Sequence, residues 1–255
     1  MQPTFLNTGI SHLKCYLHSI SNSDYKTRQE GQAHLDIIWP RVERYSLGDH
    51  LLEAFIVFGN FYHKQGHLND AEMMYNCVLA GYEKAFGLEH TSTLNTANNL
   101  GLLYADQGRL KDAEIMYNRA LAGYEKALGP EHMSTLKTVN NLGNLYAGQG
   151  RLKDAELMHN RALAGHEKAL GPEHTSTLQI IGNLGLLYAG QGRLKDAEMM
   201  YNCALAGHEK ALGLEHTSTL NIVNNLGLLY TDQGRLKDAE WGSSMLVKAI
   251  SKMQR

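Results

Sequence analysis

From Leu94 onward the apolar residues fall at 94, 97, 100, 103 and 104, the spacing of one helical face. After an interruption at Gly108, a second apolar series runs through 110, 113, 116, 117, 120, 121, 124 and 128. The two series predict one helix over 92–107 and another over 110–128. Thr91 or Ser92 offers a hydroxyl to cap the first helix. Gly108 supplies the left-handed residue that ends it, and Gly129 followed by Pro130 stops the second. The unit is thus an antiparallel helix pair with a tight turn.

The pattern recurs along the chain. QGRLKDAE starts at 107, 149, 191 and 233, and a weaker copy, QGHLNDAE, starts at 65, so the period is 42 residues throughout. A fixed period of this length marks an array in which each unit buries its apolar face against its neighbours. The units run 49–90, 91–132, 133–174 and 175–216, and a fifth starts at 217 and loses the pattern after Glu240. Residues 1–48 lack the repeat; a helix around 27–45, bent or broken at Pro40, is expected there as an N-terminal cap. The tail, 241–255, keeps helical spacing at Met245, Leu246, Ala249 and Ile250, and reads equally as a terminal cap or as a degenerate end.

Small residues mark close helix crossings. Gly101 and Ala113 fit where the two helices of a unit meet, and Ala120 where the second helix meets the next unit. Gly123, which recurs as Gly81, Gly165 and Gly207, lies inside a helix, where glycine costs about 1 kcal/mol relative to alanine. Close backbone approach and passive copying by duplication both remain open for it.

Leu100, Gly101, Tyr104, Ala113 and Tyr117 together resemble the tetratricopeptide repeat, with Ala97, Val139, Ile181 and Val223 where that pattern has tryptophan. The 42-residue length, with N-N-L-G-x-L-Y, Q-G-R-L-x-D-A-E and E-K-A-L-G-x-E-H, resembles the kinesin light chain type. The near-identical copies and their H-T-S-T-L boundary are also similar to the repeat arrays at the C-termini of fungal NLR-like (STAND) receptors. The resemblance implies an all-α fold, an α-solenoid in which stacked antiparallel helix pairs wind into a right-handed superhelix. It implies a non-enzymatic scaffold that binds a protein or peptide partner in a concave groove. The receptor likeness implies instead a ligand-sensing array that regulates a signalling NTPase. Gly-Lys never occurs here, so this chain carries no G-x-x-x-x-G-K-[ST] phosphate loop of its own.

In that family the first helix of each unit lines the groove. Carried onto this chain, the first row is Glu53, Ile56, Asn60, His63 and Lys64, and the second is Asn95, Asn98, Leu102, Ala105 and Asp106. Lys137, Asn140, Asn144, Ala147 and Gly148 form the third row, and Gln179, Gly182, Leu186, Ala189 and Gly190 the fourth. Asn221, Asn224, Leu228, Thr231 and Asp232 form the last. Across the three middle units, four of these five positions vary, against eight of the other 37. The framework is copied while the groove diverges, as a surface that reads a ligand should. The column Asn98, Asn140, Asn224 is the sharpest candidate, because an amide can both donate to and accept from the backbone of an extended peptide. The plainer reading of the column is a solvated polar face.

Composition narrows the partners. A net charge of -2 gives no broad basic footprint for nucleic acid. No run of 18 apolar residues exists to span a membrane, and the first twenty residues lack the basic start and apolar core of a signal peptide. Cys77 and Cys203 hold the same position three repeats apart, too far for a bridge whose Cα atoms must lie within about 7 Å, and reduced thiols fit a cytoplasmic or nuclear home. His90, His132, His174 and His216 recur one per repeat, too widely spaced to share a metal ion; they read as turn residues that pack or hydrogen-bond near the next helix start. His166-Glu167 and His208-Glu209 fail the H-E-x-x-H pattern at Leu170 and Leu212, and no G-x-S-x-G occurs. Tyr75, Tyr117 and Tyr201 read as core, and His159 as a tolerated substitution in that column. No catalytic residue, metal site or cofactor is expected, and near-identical units leave self-association possible.

Overall fold

Two left-handed glycines per repeat cut the chain into helices. Gly108 and Gly129, at φ 75° and 92°, adopt a conformation that a side chain disfavours, and their counterparts do so down the chain. The computed structural model describes residues 49–253, which form helices joined by short turns, with no strand. The helices are α1 (Asp49–Lys64), α2 (Leu68–Phe86), α3 (Thr91–Asp106), α4 (Leu110–Leu128) and α5 (Met133–Gly148). They continue as α6 (Leu152–Leu170), α7 (Thr175–Gly190), α8 (Leu194–Leu212), α9 (Thr217–Asp232) and α10 (Leu236–Met253). The cap helix expected over 27–45 lies outside the described residues. None of the described helices is long and apolar enough to cross a membrane.

The second helix, α4, has the bounds that the periodicity predicts, whereas α3 starts and ends one residue early because its cap differs. The cap is His90, not Thr91 or Ser92. Its backbone is extended, and its Nδ1 accepts the Ser92 N–H at 3.2 Å. His132, His174 and His216 do the same for α5, α7 and α9. The serine therefore contributes its backbone donor, and the ring supplies the acceptor that an Asp or Asn side chain would otherwise provide. One residue further on, the buried Thr93 hydroxyl donates to the Gly87 carbonyl at 2.8 Å, tying the helix start to the preceding turn. Thr135, Thr177 and Thr219 repeat the bond.

Packing within each pair depends on two glycines. A Cβ at Gly101 would lie 2.7 Å from the Tyr117 ring, and one at Gly59 2.5 Å from Tyr75. A Cβ at Gly123 would lie 2.4 Å from a Leu94 methyl, at Gly165 2.4 Å from Leu136, and at Gly207 2.5 Å from Leu178. Gly123 is thus required by close packing, and duplication copied a working contact. Ala113, Ala155 and Ala197 are fully buried in the second helices, as are Ala120, Ala162 and Ala204. The fifth pair solves the crossing differently. Gly227 faces no ring; Gly242 of α10 comes to it instead, within 3.4 Å of the Gly227 Cα counted from an added Cβ.

The chain divides into two compact units between Gly123 and Tyr124, inside α4. In the first, α1 packs on α2 and α2 on α3. In the second, α5–α6, α7–α8 and α9–α10 are the pairs, and α6 packs on α7 and α8 on α9. The first helices also touch one another, α5 with α7 and α7 with α9, forming a continuous layer within that unit.

QGRLKDAE is a clasp between repeats. The Arg193 guanidinium stacks on Tyr188, 3.9 Å from the ring centroid. It also donates to Asp196 at 2.8 Å within its own helix start and to Glu156 of the preceding repeat at 2.9 Å. Gln191 reaches the same carboxylate at 3.3 Å. Arg109 binds Glu72 and Asp112, and Arg235 binds Glu198 and Asp238, in the same way. Burial pulls the Glu72 and Glu156 carboxyls upward, yet the arginine and glutamine donors hold both below the usual carboxylate range.

Exchanging Gly165 for alanine should test the packing argument through its sign. Helix propensity alone favours alanine by about 1 kcal/mol. Because Leu136 is buried and both its methyls face the new carbon, the overpacked variant should instead lose roughly 1–3 kcal/mol. A urea midpoint above that of the parent contradicts the close-packing role.

Candidate functional site

The candidate groove residues lie on the first helices, and the fold sorts them by column. Asn95, Lys137, Gln179 and Asn221 are exposed in every row. So is the column two turns further on: Leu102 is 43% exposed, Leu186 60% and Leu228 59%, and Asn144 is exposed with them. These side chains sit opposite the buried face formed by Leu94, Ala97 and Leu100, which helical periodicity places on the other side.

The asparagine column is positioned otherwise. Asn98 is only 7% exposed. Asn140 is half-buried; its Oδ1 lies 3.1 Å from His159 Nδ1 and accepts from Asn183 of the next repeat at 3.3 Å. Asn224 is exposed, and Gly182 replaces the amide in the fourth row and is buried. The column lies at the seam between neighbouring first helices, so its amides meet the protein before they meet a ligand. Asn60 accepts from the Tyr75 hydroxyl at 2.7 Å while remaining exposed, and Asp106 meets His63 Nε2 at 2.6 Å. The second contact links two rows of the first unit; the first ties a row to its own second helix.

In the second unit the row around Gln179 opens into a cleft of about 470 Å³. Gln179, Gly182, Leu186 and Asn221 line it from the candidate rows. The helix starts contribute Ser176 and Ser218, and the end of α8 contributes His208 and Leu212. Sequence reasoning missed the residues from α8. The available signal was column 82, 124, 166, 208, which changes from tyrosine to histidine along the chain.

A family model for the tetratricopeptide repeat matches residues 50–126, 92–168, 136–210 and 176–240. The chain belongs to the tetratricopeptide repeat family. Its TPR array superimposes on BtubC (BKLC) from P. vanneervenii with a TM-score of 0.69 and 22% identity, over 95% of this chain and 92% of that one. It superimposes on the nearly identical TPR-like repeats of a putative kinesin light chain from Podospora anserina with a TM-score of 0.65 and 25% identity, over 80% of this chain and 97% of that one. A third neighbour is the Rap conjugation gene regulator of plasmid pLS20 in complex with the Phr* peptide: TM-score 0.67, 16% identity, 80% of this chain and 55% of that one. A search of curated proteins returns no match.

Three histidines enter the TPR core where other copies carry tyrosine. His159 is 1% exposed and packs on Gly143, as Tyr75 packs on Gly59. His166 Nδ1 lies 2.9 Å from the Ala162 carbonyl. His208 is 3% exposed, and its Nδ1 has no hydrogen-bond partner among the described residues. Burial pushes the pKa of His159 down to about 4. His208 is lowered too, by burial and then by the nearby His216. Both rings are therefore neutral at neutral pH. Among the described residues no three histidine, cysteine, aspartate or glutamate side chains converge on a point where a metal ion could sit, and neither Cys77 nor Cys203 forms a disulfide.

The unfolded His159 ring titrates near 6.5, so between pH 6.5 and about 4 the unfolded chain holds a proton that the folded chain excludes. Stability should fall as pH drops across that window, by roughly 3 kcal/mol from this residue. His159→Tyr, with Asn144 standing where Asn60 receives the Tyr75 hydroxyl, should reduce that slope and leave His208's share. A second loss should persist in the variant below about pH 4.5, as Glu72 and Glu156 take up protons. Melting temperatures from about pH 2 to 8 check both limbs; parallel curves for parent and variant contradict the assignment.

Proposed function

We propose that the TPR array is a non-catalytic interaction scaffold that holds an extended segment of a partner protein along its first helices. The observation that carries this reading is the coincidence of variation with exposure. The columns of Asn95 and Leu102 differ from copy to copy and face outward, whereas the columns of Leu94, Leu100 and Leu103 beneath them stay leucine from the second copy onward. A face held only for solubility has no reason to carry exposed leucines at 102, 186 and 228 beside amides and a lysine. The mixture suits a peptide: leucine supplies apolar contact, and amides supply donors and acceptors to an extended backbone. The Rap regulator, similar in fold alone, was solved with a peptide bound.

The buried Asn98 and the engaged Asn140 shift the weight of this reading. We place the contacts first on Asn95, Leu102, Lys137, Asn144, Gln179, Leu186, Asn221 and Leu228. Asn60, Asp106 and Asn224 lie alongside, and Asn98 and Asn140 shape the floor.

Paired substitutions discriminate this face from the other. Leu186→Asp with Leu228→Asp alters the first helices; Leu157→Asp with Met199→Asp alters equally exposed positions on the second helices. Each pair should change stability little, within about 0.5 kcal/mol per site. Against the partner recovered by photocrosslinking from residue 186, the first pair should weaken affinity at least about tenfold, equivalent to about 1.4 kcal/mol. The second pair should leave it unchanged. The reverse pattern moves the site to the second helices.

A further inference from the structure

The cleft between α7 and α9 differs from the rest of the first-helix face in its chemistry. Its lining contains no lysine, arginine, aspartate or glutamate. Four carboxamides converge on it, Gln179, Asn183, Asn221 and Asn225, with Leu186 and Ile222 as apolar walls. The space exists because position 182 is glycine. The second, third and fifth copies place asparagine here, at 98, 140 and 224; a Cβ at 182 would come within 2.9 Å of Ile222 Cδ1, and the amide beyond it would take up cleft volume.

His208 adds an independent observation. It lines the cleft, is 3% exposed, and leaves Nδ1 without a partner, although its counterpart His166 directs the same atom to the carbonyl of Ala162 at 2.9 Å. A buried nitrogen lacking a hydrogen bond is unfavourable, and rotation of the ring toward a ligand seated in the cleft that it borders would recover that loss. A carboxamide has both a donor and an acceptor, so it satisfies either tautomer of a neutral ring. A carboxylate or an ammonium entering the same space would meet no lysine, arginine, aspartate or glutamate, only the rings of His208 and His216.

We propose that this cleft is the selective subsite of the array and that it takes an uncharged carboxamide side chain, asparagine or glutamine, from an extended partner segment. The inference rests on the groove reading above and adds to it the chemistry of one contact. It makes the fourth row the position that discriminates among partners, while the remaining rows hold backbone and apolar side chains.

The test uses the full chain with histidine rings isotopically labelled. N-acetylglutamine amide should shift the His208 ring resonances saturably, whereas N-acetylglutamate amide and N-acetyllysine amide should bind at least about tenfold more weakly. A seven-residue extended peptide with a central glutamine should bind more tightly than the single amino-acid amide. Gly182→Asn, which restores the residue of the sister copies, should remove the response while the protein stays folded. An asparagine beside an isoleucine of the next row is already accommodated at Asn140, where Ile180 is the neighbour by register. His208→Tyr, the residue at 82 and 124, is the second variant and should also close the cleft. Equal shifts with all three amides, or no shift with any, overturn the proposal. A peptide no tighter than the free amide overturns its assignment to a partner segment. Gly182→Asn leaves the Asn95 and Leu102 columns intact, so it should still capture the partner; partner capture by the parent chain with no preference among the three amides defeats the subsite alone.

Discussion

The fold depends on an absence: two Cβ atoms per repeat that are not there. Gly101 lets the Tyr117 ring lie against the backbone of the partner helix, and Gly123 lets Leu94 do the same from the other side. With large residues at both points the helix axes would separate beyond the usual range. The buried alanines of the second helices, Ala113 and Ala120 among them, would then face gaps. The contact is reciprocal, one glycine on each helix receiving a large side chain from the other. That arrangement fixes the sliding of the pair as well as its spacing. It also explains why histidine is tolerated at 159: an imidazole, like a phenol ring, presents a flat face to glycine.

A second constraint acts along the stack. Each residue named by the QGRLKDAE motif has a task, and most of the tasks join one copy to another. Glycine ends the helix, alanine is buried, and aspartate holds the arginine at its own helix start. Glutamine and arginine bind the glutamate of the copy before. Single exposed ion pairs contribute little. Here the same guanidinium also covers a tyrosine ring, so its position is fixed by packing as well as by charge. The glutamine, arginine and glutamate of the motif stay constant because each meets a neighbour in the adjoining copy.

Helix order and the turns were legible in the sequence because they rest on local rules, apolar periodicity and left-handed glycine. The histidine caps were harder to read, since His90 is outside the usual cap residues and reveals itself only when its ring is seen to accept the Ser92 N–H. Gly123 was unreadable without its distant partner Leu94. The candidate surface was legible as variation but not as exposure. Asn95 and Asn98 lie within one helical turn, yet one faces outward and the other is buried, and in the next copy Asn140 is engaged by Asn183 of a repeat 43 residues on. The cleft was invisible for a related reason: it arises from the side chain that Gly182 lacks, and its wall from α8 is distant in sequence.

The clasp has a consequence for how such an array changes length. Each 42-residue segment carries one half of a joint at its own turn and the complementary half for its successor. A segment excised or inserted in whole periods among the copies that carry QGRLKDAE, cut at any point of the repeat, therefore keeps each arginine 37 residues after a glutamate of the copy before. Recombination between near-identical copies then changes the number of rungs without creating an unmatched seam. The exposed first-helix residues travel with the rung that bears them, so a lengthened array would present an existing set of contacts at a new offset.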